Sequence, residues 1–412
     1  MKITGLITEY NPFHNGHLYH IKKAKEITGA DAVIVIMSGN FVQRGAPAIM
    51  PKRLRTEIAL NAGVSLVIEL PVCYATGSAE YFASGAISIL DSLGCIDSIC
   101  FGSECGDYKK LEHIAKILAD EPEAYRLSLK NQLKTGLSFP KARQNGLKEY
   151  SKDDSLDEIL EHPNNILGIE YIKALYLQKS PIKAYTIKRI VSDYHDTSIK
   201  EKYSSASAIR GLLGNISLSE ISTKLKSQVP PSCTRLLETT YGIRYPVYSN
   251  DFSLLLKYRL LTETKESLVQ YMDITEELAN RITNHINEFI SFEQFCDLLK
   301  TKDITYTRIS RALLHIILNI RKKDIDIYKE HGYCQYARIL GFRKEDAAIF
   351  KHLKNHSSIP LITRLTQIDE LDCASKKMAE TDIFASNLYE SVATDKFEEK
   401  FIHEQQQSLV IC

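Results

Sequence analysis

Ile3-Thr4-Gly5-Leu6-Ile7-Thr8-Glu9-Tyr10-Asn11-Pro12-Phe13-His14-Asn15-Gly16-His17-Leu18 starts as a short β-branched run, passes a turn containing Pro and Gly, and enters a helical pattern. It reads as strand, loop, helix. Four further compact runs follow, at Ala32 to Met37, Leu66 to Leu70, Ser98 to Phe101 and Ile182 to Thr186. Runs such as Val33-Ile34-Val35-Ile36 suit strands buried on both faces of a parallel sheet. Between them, His17 to Ile27, Lys52 to Asn61 and Ser78 to Leu93 carry apolar positions at helical spacing. The alternation predicts an α/β fold, a doubly wound, five-stranded, mainly parallel sheet. From Tyr108 to Gln178 the pattern is helical and broken at Pro122, Pro140 and Pro163, which predicts a helical insertion (108–178) before the last strand. Beyond Gly214 there is little strand signal. Glu263 to Tyr271, Ile274 to Phe289, Arg308 to Ile320 and Glu345 to Lys354 read as amphipathic helices. The chain is therefore expected to divide into residues 1–214, holding the chemistry, and a helical domain over 215–412.

The 412 residues, 44% hydrophobic and 25% charged, exclude a disordered or fibrous chain. Lys and Arg number 52 against 51 Asp and Glu, so any contact with a polyanion has to come from a local patch. Nine scattered cysteines do not resemble a disulfide framework, and no stretch reaches the ~18 to 20 apolar residues of a membrane span. A cytoplasmic chain with no membrane partner and no obligate protein partner is expected. Cys95, Cys100 and Cys105 recur every five residues but lack the paired spacing of a zinc site, so no resident metal is expected.

The first loop lies at a strand's carboxyl end, where open α/β sheets bind ligands, and the following helix aims free N–H groups at any anion there. Pro12 stiffens the turn, Gly16 lets phosphate oxygens approach, and His14 and His17 can donate to them. A lone loop histidine is as readily a cap. Two at His-x-Gly-His spacing, in strand-loop-helix context, resemble the signature of the nucleotidylyltransferase and class I aminoacyl-tRNA synthetase superfamily. Tyr203-Ser204-Ser205-Ala206-Ser207-Ala208-Ile209-Arg210 resembles that superfamily's second box, Ile-Ser-Ser-Thr-x-x-Arg, with Ser207 in place of Thr. Serines at a helix start and an arginine one to two turns in suit β and γ phosphates.

Five ordered blocks sharpen the resemblance: Glu9 to His17, Met37 to Gly45, Phe101-Gly102-Ser103-Glu104, Pro163 to Gly168, and Tyr185 to Ile190. Together they look like the bacterial tRNA(Met) cytidine acetate ligase family, from Lys2 to about Arg210 and more weakly through Thr307-Arg308-Ile309-Ser310-Arg311. That resemblance implies activation of acetate by ATP to acetyl-adenylate, then transfer to N4 of the wobble cytidine of elongator tRNA(Met). It implies ATP contacts at Ile7, Thr8, Glu9, Tyr10, Asn11, Pro12, Phe13, His14, Asn15, Gly16, His17, Leu18, Tyr19 and His20, at Gly102, at Asn164 or Asn165, at Arg189 and Ile190, and at Ser204, Ser205 and Arg210. His14, His17 and Arg210 would carry catalysis, with Mg²⁺ accompanying ATP.

Arg44, on the rim after the second strand, can pair with a small carboxylate as an acceptor-side residue, or be a solvated loop charge. Arg308, Arg311 and His315 recur at helical spacing and Arg321, Lys322 and Lys323 follow, so Arg308, Arg311, Arg321, Lys322 and Lys323 can form one basic stripe for tRNA. Two other readings stay open: a small-molecule adenylyltransferase of the pantetheine-phosphate or nicotinamide-mononucleotide kind, and a non-catalytic RNA-binding protein on a nucleotide fold.

Overall fold

In the computed structural model, residues 1–153, 156–189, 205–214, 216 and 218–412 are described. The strands are β1 (Ile3–Thr8), β2 (Ala32–Ser38), β3 (Phe41–Val42), β4 (Ala46–Pro47), β5 (Leu66–Leu70), β6 (Ser98–Ser103), β7 (Lys183–Lys188), β8 (Ala337–Phe342), β9 (Leu361–Ile362) and β10 (Val410–Ile411). The main sheet runs β10-β8-β5-β2-β1-β6-β7, with β9 on β8, and β3 and β4 form a separate two-stranded ribbon. From β5 to β7 every pairing is parallel. The strand order reverses about β1, so the crevice at its carboxyl end is the topological switch point.

The β-branched runs alternate between two cores. Ile34 and Ile36 of β2 face one apolar cluster, and Val33 and Val35 face the other. The first cluster continues through Leu256, Tyr271, Phe292 and Leu313, which seats the helical half on that face. The five strands read from the sequence are present, and the last runs on to Lys188. The insertion is helical, through Tyr108–Asp120, Glu123–Lys134, Phe139–Ser151, Leu156–Glu161 and Pro163–Leu177.

The second half departs from expectation. β8 pairs antiparallel with β5, and β9 and β10 pair with β8, so the sheet takes strands from beyond residue 214. A helix at Ser253–Thr262 precedes the segment expected to be one, where there is a single turn, Lys265–Leu268. A buried ionic network ties the halves together. Lys52 bonds both oxygens of Glu69, at 2.7 and 2.9 Å, and Ser386 Oγ at 2.7 Å. Its ammonium also lies 3.1 Å from Glu404, and Arg338 of β8 pairs with Glu69 at 2.9 Å and with Glu404. Lys52, Glu69, Arg338 and Glu404 are each no more than 5% exposed. Such charges persist only when mutually satisfied, because removing one partner strands the others in low dielectric. No helix among the described residues is long and apolar enough to cross a membrane.

Candidate active site

A cavity of about 750 Å³ opens at the switch point. Its wall is built from the β1 loop, the β3–β4 ribbon, the carboxyl ends of β6 and β7, and helix starts at residues 163 and 206. Of the residues singled out in the sequence, it brings together Ile7, Thr8, Glu9, Tyr10, Asn11, His14, Gly16, His17, Tyr19, His20, Arg44, Gly102, Asn164, Arg189, Ser205, Arg210 and Arg311. Pro12, Phe13, Asn15, Leu18 and Asn165 do not line it. Phe13 is buried in the core, and Asn15 ties its side chain to the Ser227 carbonyl. Ile190 and Ser204 lie outside the described residues.

The two histidines cap the helix Asn15–Thr28 reciprocally. His14 Nδ1 accepts from the Gly16 N–H at 3.0 Å, and His17 Nδ1 accepts from the His14 N–H at 3.2 Å. The rings stack with centroids 3.9 Å apart. A nitrogen that accepts a backbone N–H carries no proton, so each neutral ring holds its proton on Nε2 and is a fixed donor. Gly16 is required by this cap, because a Cβ there would stand 2.7 Å from His14 Cε1.

Burial, and then Arg189 and Arg210, hold His14 down to about 3. Burial, then His14, Arg189 and His20, hold His17 well below its ordinary range. His20, held at about 4 by burial and Arg189, leaves its buried Nε2 without a partner among the described residues, which fits a ligand atom. If the site activates a carboxylate with ATP, as the sequence resemblance implies, that step measured from about pH 5.5 to 7.5 is expected to show no imidazole limb near the ordinary value of about 6.5. A rate falling through such a limb would mean that one ring works charged. Stability carries the opposite mark: the unfolded chain takes up protons on these imidazoles below about pH 6.5 and the folded one does not. Their contribution is whole above that pH and lost as pH falls towards the depressed values.

Arg210 reaches the same loop. It donates to the Asn11 carbonyl at 2.7 Å and to Ser207 Oγ at 2.9 Å, from a helix capped by Ser205 Oγ on the Ala208 N–H. Gly102 lies under the stem of Arg189. Asn165 is 1% exposed and its Oδ1 accepts the Glu104 and Cys105 N–H groups, so Asn164 is the cavity residue of the pair.

On the β2 side, Glu9 Oε1 accepts the Gln43 N–H at 3.0 Å. Gly45 (φ 75°) brings the β3–β4 turn against the helix Tyr306–Leu318, where a Cβ would collide with the Arg311 backbone and where Ser310 Oγ donates to the Gly45 carbonyl at 2.8 Å. Sequence reading missed Arg55. It is fully buried and donates to the carbonyls of Glu9 (2.6 Å), Ser38 (3.0 Å), Met50 (3.0 Å) and Gly39. It thus fixes the carboxyl ends of β1 and β2 together.

The basic stripe does not form as read. Arg311 turns into the cavity and pairs with Asp273 at 2.9 Å, and His315 is fully buried. Arg321 stacks over Tyr271 at 4.6 Å, and Lys322 donates to the carbonyls of Val269 and Ile274. These groups satisfy local structure, which leaves half-buried Arg308 and exposed Lys323 of the set. Among the described residues, no group of three His, Cys, Asp or Glu is placed to hold a metal.

A family model for the HIGH nucleotidyl transferases matches residues 1–405. A tRNA(Met) cytidine acetate ligase of Acetivibrio thermocellus is 43% identical over 392 residues, 94% of each chain, and one of Clostridium kluyveri is 44% identical over 375 residues, 89% of this chain and 90% of that one. The crystal structure of apo Thermotoga maritima TmcAL superimposes with a TM-score of 0.94 at 32% identity, covering 100% of this chain and 99% of that one. The same protein bound with alpha-thio ATP gives 0.88, at 32% identity, over 99% and 97%.

Proposed function

The chain belongs to the HIGH nucleotidyl transferase family and, within it, to the tRNA(Met) cytidine acetate ligases, and from that premise we propose how its cavity works. The substrates are ATP, acetate and tRNA(Met), and the acceptor is the N4 amine of the wobble cytidine. ATP lies across the switch point with its phosphates at the N-terminus of the helix Asn15–Thr28. The observation that carries this reading is the reciprocal cap, which sets two neutral Nε2–H donors beside that helix end. An acetate oxygen attacks the α-phosphorus in line with departing pyrophosphate. His14 and His17 donate to the α-phosphate oxygens as charge grows on them, while Arg189 and Arg210 stabilise the leaving β and γ phosphates. Because the donors are preset, no reorganisation is needed at the moment of reaction.

Mg²⁺ enters with the nucleotide. The described residues include no carboxylate cage for it, and Mg²⁺ commonly rides on substrate phosphates. Apolar walls from Val42, Pro47, Ile49 and Phe82 suit a short methyl-bearing carboxylate.

The deciding test incubates the protein with ATP, Mg²⁺ and a panel of carboxylates, with and without tRNA, and analyses tRNA nucleosides by mass. Acetate-dependent pyrophosphate release and N4-acetylcytidine are expected. Adenylylation of a small molecule in place of acetate, or RNA binding with no ATP turnover, would favour the other two readings. Arg210→Ala is expected to raise the ATP requirement about ten-fold or more and leave AMP affinity nearly constant, since its cation faces phosphates that AMP lacks. Equal weakening of both nucleotides would make Arg210 chiefly a strut for the Asn11 loop.

A further inference from the structure

Transfer to a cytosine amine needs a base that the donors described so far cannot supply. The N4 lone pair is delocalised into the ring, so the amine attacks only as its proton is removed. His14 and His17 are excluded, because each Nδ1 accepts a backbone N–H and each Nε2 carries the proton, and His20 is set back against the Cys100 backbone of β6 beside Arg189, on the phosphate side. Among the described residues lining the cavity, two are carboxylates, Glu9 and Glu293. Glu293 is exposed, and its Oε2 accepts from Asn250 Nδ2 at 3.0 Å. Glu9 is half-buried just past the carboxyl end of β1, where its carboxylate meets the ribbon that follows β2. The Gln43 N–H holds its Oε1 at 3.0 Å and Arg55 holds its carbonyl at 2.6 Å, while Oε2 has no donor among the described residues. A carboxylate is also the wrong charge for a triphosphate, which argues against the ATP contact expected from its place in the motif.

We propose that Glu9 receives the acceptor base and takes its proton, an inference that rests on the acceptor being a tRNA cytidine. Oε2 accepts a hydrogen bond from the N4 amine, the pairing by which carboxylates read cytosine. N4 then bonds to the acetyl carbonyl carbon, the N–H proton passes to Glu9, and the bond from that carbon to the adenylate oxygen breaks. The electron pair leaves with AMP, and Glu9 later gives the proton to solvent. A uridine would present its O4 acceptor to the same carboxylate and be repelled, so one group supplies both proton transfer and base choice.

The test compares wild type, Glu9→Gln, Glu9→Asp and Glu293→Gln as full chains in two assays. One is transfer from preformed acetyl-adenylate to tRNA(Met), read as N4-acetylcytidine. The other is acetate-dependent ATP–pyrophosphate exchange without tRNA. Glu9→Gln is expected to lower transfer about 100-fold or more, and at least ~10-fold more than it lowers exchange, with part of the loss recovered in Glu9→Asp. Equal losses in both assays would assign Glu9 to structure or nucleotide binding and overturn the proposal. So would undiminished transfer, or a selective loss at Glu293→Gln. Failure of the underlying reading has a separate signature, a wild-type chain that makes no N4-acetylcytidine from either supply.

Discussion

Replacing His17 by alanine is expected to lower acetyl-adenylate formation by about two to three orders of magnitude, the usual cost of removing one preset donor to a developing oxyanion. ATP affinity should change far less, because the contact strengthens as the α-phosphorus gains its fifth oxygen. The fold should survive with about 1 kcal/mol lost, since the variant gives up one capping hydrogen bond of a 14-residue helix. Supplying acetyl-adenylate should restore transfer to tRNA, which separates a fault in activation from one in the transfer step. A His17→Ala chain that forms adenylate at the wild-type rate would remove the imidazole pair from the chemistry.

Arg55→Met should have the largest effect on stability of any single substitution near the site. Methionine fills similar space but leaves the carbonyls of Glu9, Ser38, Gly39 and Met50 without their shared donor inside the protein. Each buried acceptor left alone costs about 1–3 kcal/mol. Because four acceptors on one fork relax together, about 3–5 kcal/mol is expected. A lowered urea midpoint with an unchanged slope would record it. Adenylate formation and transfer should fall together, since the loop carrying Glu9 and His14 and the turn after β2 are then no longer fixed to each other. Arg55→Lys keeps the charge but not the planar fork and should fall between. A midpoint shift worth under about 0.5 kcal/mol would mean that water replaces the guanidinium without loss.

Strands β1, β2 and β5 were legible because burial on both faces writes them as continuous apolar runs, β6 and the half-buried edge strand β7 as shorter compact ones, and the histidine loop because its glycine and spacing are local. What escaped depends on partners distant in the chain. Ala337-Arg338-Ile339-Leu340-Gly341-Phe342 carries an arginine and a glycine and is followed by Arg343 and Lys344, so nothing nearby marks it as a strand. Only Glu69 and Glu404 explain why Arg338 can be buried. For the same reason nothing in the helical pattern from Lys52 to Asn61 marks Lys52 and Arg55 as buried, although both are no more than 1% exposed. Arg311 read as an outward cation until Asp273 was found beside it. Charge in a sequence announces its sign, whereas its compensation comes from tertiary structure.

The bond from Lys52 to Ser386 spans 334 residues, and the pairing of β8 with β5 is nearly as remote. A ribosome makes β5 and Lys52 long before it makes either partner. During that interval Glu69 and Lys52 have only each other, and the edge of β5 is an open row of backbone donors and acceptors. The nascent chain thus passes through a stage at which its nucleotide loop exists but the sheet carrying it is unfinished. Closing such remote contacts is slow, and exposed strand edges aggregate, so this stage is where a chaperone is most needed. A polypeptide released early, after residue 214, should be captured by trigger-type chaperones or degraded instead of binding ATP, which sets the moment of first activity by the arrival of β8 and Glu404.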